Sequence, residues 1–171
     1  MQNYLNWENK LTSQDLNLPY LVLYNSSAKD ANATVVKRTD VDLEFFVESV
    51  AYAYMTHNIQ EAYYLTSFFN SSVPNLYMKD FQSKGLFGAR HVHKKILDVY
   101  FPEYDEREAT HRRLAQLGKL AHEKTAKYLK ENPPQGELTA TRLGRLRLQV
   151  KDNLKEEMKE INKIVKQLIE S

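Results

Sequence analysis

The chain has 171 residues, of which 42% are hydrophobic and 27% charged, ordinary proportions for a globular protein with room for one well-cored domain or a small domain with an appendage. A net charge of +2 means that any nucleic-acid site must be a local patch and not a global field. The absence of cysteine excludes disulfides, thiol catalysis and every cysteine-based zinc or iron–sulfur site, and fits a reducing cytosol.

The opening MQNYLNWENK has neither a basic leader nor an apolar core, so no secretory signal is expected. No apolar run approaches the roughly 20 residues of a membrane span. A prokaryotic cytoplasmic protein is the expectation. Residues 1–18 are polar and irregular, with Trp7 and Leu11 as anchors. Tyr20 to Tyr24 (YLVLY) suits a buried strand, Asn25 to Asn32 a turn-rich loop, and Ala33 to Lys37 a second strand. Leu43 to Thr56 is rich in aromatic and β-branched residues and reads as one or two further strands, with Tyr52 and Tyr54 in the core.

Ile59 to Phe69 predicts a helix burying Ala62, Leu65, Phe68 and Phe69, and Asn70-Ser71 ends it. A second helix is predicted from Pro74 to Gln82, with Pro74 in its first turn. Ile96 to Phe101 reads as a strand stopped by Pro102. Composition then shifts. Glu106 to Glu131 and Leu138 to Ile169 carry apolar residues at spacings of three and four, and Asn132-Pro133-Pro134-Gln135-Gly136 interrupts them where no helix could continue. The expected fold class is therefore α+β: a small mixed sheet with packed helices over residues 1–102, followed by a long antiparallel helical hairpin over 103–171.

One stretch concentrates chemistry. No acidic residue stands between Asp80 and Asp98, yet Lys84, Arg90, Lys94 and Lys95 fall there, with His91 and His93 beside them. Gly85 and Gly88 bracket Leu86 and Phe87, so two positions free to take positive φ flank two large apolar side chains. The expectation is a rigid turn pinned to the core by Leu86 and Phe87, displaying backbone NH groups and cations to an anionic partner.

These residues also carry a resemblance. Glu61-Ala62-Tyr63-Tyr64-Leu65, Asn70-Ser71 and Phe81-Gln82-Ser83-Lys84-Gly85-Leu86-Phe87-Gly88, followed by Arg90, His93, Lys94 and Lys95, resemble the C-terminal target-recognition region of adenine-specific DNA methyltransferases from restriction-modification systems. The likeness is greatest to the bifunctional type II family, whose recognition lobes are similar to those of type I specificity subunits. It is close from Ile59 to Leu97 and looser from Leu5 to Leu120. The resemblance implies a lobe that lays its loops in the major groove of duplex DNA, where each base pair shows a distinct donor and acceptor pattern. Lys84, Lys94 and Lys95 would then contact phosphates, while Gln82, Ser83 and Arg90 address base edges around the Gly85–Gly88 turn. His91 and His93 read as phosphate or base contacts, with a structural hydrogen-bonding role as the alternative. A separate catalytic domain or subunit would use S-adenosylmethionine to methylate the flipped adenine.

Asn132-Pro133-Pro134 echoes the catalytic motif of such enzymes, but Gln135 stands where the motif needs an aromatic ring, and no glycine-rich cofactor loop is present. The chain thus reads as a recognition part, not an enzyme on its own. His91-Val92-His93 is surrounded by cations that repel a metal dication, and His122-Glu123 lacks a second histidine one turn on, so no metal site is expected. Gly85-Leu86-Phe87-Gly88 also matches the backbone clamp of KH domains, although Leu86 and Phe87 are better buried. Tyr63 and Tyr64 are assigned to the core. Arg142, Arg145, Arg147 and Lys151 form a second acid-free run, read as a solvated helix face, with DNA-backbone contact as the alternative. The competing function is a subunit-docking module, with the helical hairpin pairing to a catalytic partner or to a second copy.

Overall fold

In the computed structural model, residues 9, 11–26, 30–44, 46–48, 51–79, 84–85, 88–89 and 95–171 are described. Strand β1 (Tyr20–Asn25) lies at the centre of an antiparallel sheet, between β2 (Ala33–Lys37) and β3 (Ala51–Thr56). Val22 pairs with Val35 and Tyr54, and Tyr24 with Ala33 and Tyr52, so these side chains share one face. Tyr24 there stacks on Phe69 (centroids 4.6 Å apart) and on Tyr52 (5.1 Å). Leu21, on the other face, is also fully buried, which is why this strand is a continuous apolar run and not an alternating one.

Helix α1 (Ile59–Asn70) starts where the Asn58 side chain accepts the N–H groups of Gln60 and Glu61. Its final residue closes the edge of the sheet: the Asn70 amide accepts from Ala33 N–H (2.9 Å) and donates to Ala33 O (2.8 Å). Both backbone groups that open the edge strand are thereby satisfied. Ser71 ends α1 and caps α2 (Ser72–Met78), its hydroxyl accepting from Val73 N–H. Buried Asn75 fastens this corner, accepting from Ala31 N–H (2.7 Å) and donating to Ser71 O (2.8 Å).

Helix α3 (Ala109–Glu131) crosses α1 at Gly118, where the helices meet so closely that an added Cβ would stand 2.5 Å from the Tyr63 carbonyl oxygen. Ser67 Oγ, in the same crossing, donates to Tyr63 O at 2.9 Å and lies 3.2 Å from Leu114 O. Helices α4 (Ala140–Asn153) and α5 (Lys155–Glu170) follow. Only α5 reaches the core, through Ile161, Ile164 and Val165; α4 buries no residue. The Asn162 side chain accepts from the Ser71 hydroxyl and Ser72 N–H, both at 2.9 Å, and so ties the last helix to the α1–α2 corner. One apolar cluster thus joins Val22 and Val35 of the sheet to Tyr64, Phe68, Leu114 and Val165 of the helices. No helix among the described residues is long and apolar enough to cross a membrane.

The α+β class holds, with a three-stranded antiparallel sheet and five α-helices among the described residues, but several expected elements differ. Of the stretch from Leu43 to Thr56 only Ala51–Thr56 is a strand in this sheet. Leu43 is 82% exposed, and the backbone of Val47 pairs with the side-chain amide of Gln14 (2.8 and 2.9 Å) in place of a neighbouring strand. Lys95–Asp98 is a 3-10 turn, not the start of a strand ending at Phe101. The apolar residues of that segment are used one by one: Ile96 is fully buried, and Phe101 stacks on Phe68 (4.1 Å) and Tyr64 (4.8 Å). The second helix begins at Ser72 because Ser71 caps it there, and it ends at Met78, short of Gln82. The segment from Leu138 to Ile169 is not one helix: it breaks at Leu154 (φ −100°, ψ 11°), separating a solvent-facing arm from a core-facing one. The long helix starts at Ala109 and not Glu106, since Asp105 and Arg107 close a local turn ahead of it. Trp7 lies outside the described residues, and Leu11 is half-buried.

Candidate nucleic-acid interface

The glycine-rich stretch forms a two-stranded hairpin. β4 (Lys84–Gly85) pairs with β5 (Gly88–Ala89), Lys84 opposite Ala89 and Gly85 opposite Gly88. Leu86 and Phe87 stand between the two strands in sequence. Met78 and Ile96, both fully buried, flank the hairpin before and after, so the excursion is rooted in the core on both sides. Near these residues in sequence several apolar side chains are exposed: Leu76 58%, Tyr77 44%, Leu97 54% and Tyr100 71%.

Of the residues singled out from sequence, Lys84, Gly85 and Gly88 lie on the hairpin strands, and Lys95 opens the 3-10 turn that follows. Gln82, Ser83, Arg90, His91, His93 and Lys94 lie outside the described residues, as do Leu86 and Phe87 and their expected pinning of the turn.

The tyrosines assigned to the core divide. Tyr63 and Tyr64 are buried, and burial pushes the Tyr64 hydroxyl well above the usual phenol range while it donates to Pro102 O at 2.9 Å. Tyr52 is half-buried against Tyr24. Tyr54 is 42% exposed and donates to Glu61 Oε1 (2.9 Å); burial and this carboxylate raise its pKa to about 12. Glu61 also receives the Thr56 hydroxyl, so this carboxylate of the Glu-Ala-Tyr-Tyr-Leu run fixes the start of α1 to the end of β3.

Two histidines outside the hairpin are held in the fold. His111 is buried, with Nδ1 accepting from Asp105 N–H (3.0 Å) and its ring against Tyr64 (4.9 Å). His122 meets the edge of Tyr63 at 5.8 Å, and burial, with Lys37 nearby, holds its pKa below the usual imidazole value. Asn132 caps α3: its N–H and side-chain amide both donate to Tyr128 O, at 2.8 and 3.0 Å. The Asn-Pro-Pro triplet therefore follows a helix and sits on an exposed connection.

Two surface hollows accompany this arrangement. One, of about 450 Å³, lies between α3 and α5 and is edged by Arg113, Leu117, Leu120, Glu156, Lys159 and Lys163. The other, of about 530 Å³, is lined by Asn58, Glu103, Tyr104, Asp105, Glu106 and Arg107. Hydrogen bonds from Arg107 depress the Asp105 carboxyl to about 2. No group of three or more metal-ligating side chains is assembled among the described residues.

Sequence reasoning did not anticipate buried Asn75 or half-buried Asn162 as structural links, since neither carries a local signal of its distant partner. The exposure of Leu76, Tyr77, Leu97 and Tyr100 was equally silent. Comparison with protein-family models, with curated proteins and with solved structures gives no match to this chain.

Proposed function

We propose that this chain is a duplex-DNA target-recognition domain, the specificity part of an adenine-specific DNA methyltransferase of a restriction-modification system. The observation that carries the reading is the β4–β5 hairpin, a glycine-paired turn rooted by buried Met78 and Ile96, in a stretch without acidic residues. Its support from outside the geometry is the resemblance of Phe81 to Gly88, with Arg90, His93, Lys94 and Lys95, to the recognition lobes of that family. Lys84, Lys94 and Lys95 set the register on phosphates, and Gln82, Ser83 and Arg90 read base edges, Arg90 by a bidentate fork to guanine. Methyl transfer belongs to a catalytic partner that binds S-adenosylmethionine in the prokaryotic cytoplasm.

The test is fluorescence anisotropy of labelled duplex DNA titrated with the protein and with an Arg90, Lys94 and Lys95 to Ala variant of unchanged circular dichroism. With about four phosphates neutralised, affinity should fall roughly 100-fold between 50 and 200 mM salt. Equal binding by the variant would refute the assignment. A second reading is favoured by the exposure of Leu120 (44%) and Leu138 (51%): the helical hairpin docks a catalytic subunit, and the glycine turn is incidental. A Leu120→Ser, Leu138→Ser variant of unchanged circular dichroism that no longer recruits a methyltransferase subunit, with unchanged DNA binding, would support it.

A further inference from the structure

The cations of α3 and α5 stand among carboxylates, although Arg112, Lys130, Lys155, Lys159 and Lys163 form no ion pair among the described residues, whereas those of α4 do not. On α3 and α5, Arg113 pairs with Glu160 (2.8 Å), Lys124 with Glu157 (2.7 Å), and Lys119, Lys127 and Lys166 each with a carboxylate at 3.8 Å. The pairings hold the Glu157 and Glu160 carboxyls below their usual range. α4 has no acidic residue before Asp152. Arg142 folds back onto the carbonyls of Gln135 (2.9 Å) and Glu137 (3.2 Å), while Arg145, Arg147 and Lys151 have no ion pair among the described residues.

α4 also differs in its packing. Its apolar stripe of Leu143, Leu146 and Val150 is half-buried, and at helical spacing Thr141, Gly144, Arg145, Leu148 and Lys151 share the opposite, outward face. Leu148 is 68% exposed, and a Cβ at Gly144 would meet nothing within 4 Å. Glycine weakens a helix relative to alanine, and no neighbour inside the molecule requires it here. A residue without a side chain amid long unpaired cations is suited to an anionic backbone that approaches closely.

We propose that α4 is a second phosphate-contacting surface, on which Arg145 and Lys151 of the outward face, with Arg147 at its edge beside Lys151, hold the sugar-phosphate backbone of the duplex read by the glycine hairpin. The proposal rests on the DNA-recognition reading above. An anionic membrane surface fits less well, because a helix lying in a lipid interface needs a free apolar face, whereas that of α4 is turned inward and leaves only Leu148 outside.

The experiment measures the slope of log affinity against log salt for the full chain on duplex DNA. It compares the wild type with an Arg145→Gln, Arg147→Gln, Lys151→Gln variant and with an Arg145→Lys, Arg147→Lys variant. Helical signal at 222 nm and the urea midpoint serve as fold controls. Losing three phosphate contacts should flatten the slope by about 2.7, so that raising salt from 50 to 200 mM weakens the wild type about 40-fold more than the glutamine variant. The lysine variant should keep the wild-type slope, and the ranking of different duplex sequences should not change. An unaltered slope in the glutamine variant, with binding lost in the Arg90, Lys94 and Lys95 variant, overturns the α4 proposal and leaves the hairpin reading standing. A wild type that binds no duplex overturns both. Binding to phosphatidylserine vesicles that the glutamine variant loses, with an unaltered DNA slope, assigns the helix to a membrane surface instead.

Discussion

Alanine at Gly118 and alanine at Gly144 are the same substitution, both within helices, with opposite expected signs. At 118 the new Cβ would lie 2.5 Å from the Tyr63 carbonyl oxygen and in conflict with Ser67 Oγ. Restoring an ordinary contact requires α1 and α3 to part by roughly 1 Å, which forfeits a quarter to a half of each dispersion contact along the crossing. Overpacking of this kind costs about 1–3 kcal/mol. Loosening the Ser67 contact with Leu114 O adds about 1 kcal/mol, and the better helix propensity of alanine returns about 1 kcal/mol. The net loss is about 2 kcal/mol, which at a urea slope of about 2 kcal/mol/M lowers the unfolding midpoint by about 1 M. At Gly144, where a Cβ meets open space, only the propensity gain applies, and the midpoint should rise by about 0.4 M. The assay is equilibrium urea unfolding followed at 222 nm, with unchanged slopes confirming that only stability has moved. A Gly118→Ala protein at or above the wild-type midpoint would refute the close crossing.

Asn70→Ala removes the amide that serves both backbone groups of Ala33, and it should cost about 1–3 kcal/mol and speed hydrogen exchange at the Ala33 amide; protection equal to wild type would count against the clamp. His122 binds its proton less readily folded than unfolded, so its contribution to stability is complete above about pH 6.5 and is lost as pH falls through the lower folded value. His122→Gln should therefore flatten the stability profile on the acid side of neutrality, and an unchanged profile in thermal melts from pH 5 to 8 would exclude this residue. Asp105 should titrate near 2 by carboxyl NMR and move up towards its ordinary value in Arg107→Gln. Its contribution is present above the unfolded carboxylate pKa and vanishes as pH drops through 2.

Strands β1 and β2 are legible in YLVLY and ATVVK because burial and β-branching act locally. Helix α1 is legible in the spacing of Ala62, Leu65, Phe68 and Phe69 and in the Asn70-Ser71 that ends it, whereas its Asn58 cap is a finding of the structure. The break at Leu154 is hidden by the stripe itself: Val150, Leu154, Met158 and Ile161 continue at spacings of four and three across it. Periodicity reports that a face is apolar but not whether another element arrives to cover it, and only Ile161 of these four is buried. Ile96 to Phe101 misleads for the opposite reason, since its apolar residues find aromatic partners on α1 instead of a neighbouring strand. Nor can a local pattern anticipate Gln14 acting as a substitute strand for Val47, a contact 33 residues away in sequence. At the candidate interface the glycine pair marks the hairpin, Gly85 opposite Gly88, while Leu86, Phe87 and most of the expected contact residues lie outside the described residues. Asn75 and Asn162 carry no such signature, for the partners that fix them include Ala31 and Ser71, 44 and 91 residues away.

The bond from Asn162 to Ser71 spans 91 residues and has a consequence for assembly. The sheet, α1 and α2 are contiguous in sequence and can associate as the chain emerges, but the slot filled by Ile161, Ile164 and Val165 stays open until the final helix has been synthesised. Long-range closure of this kind slows folding and leaves apolar surface uncovered in the interval. The last helix is in effect the keystone of the molecule, and a nascent chain stalled within α4 would present an unfinished core to chaperones and proteases.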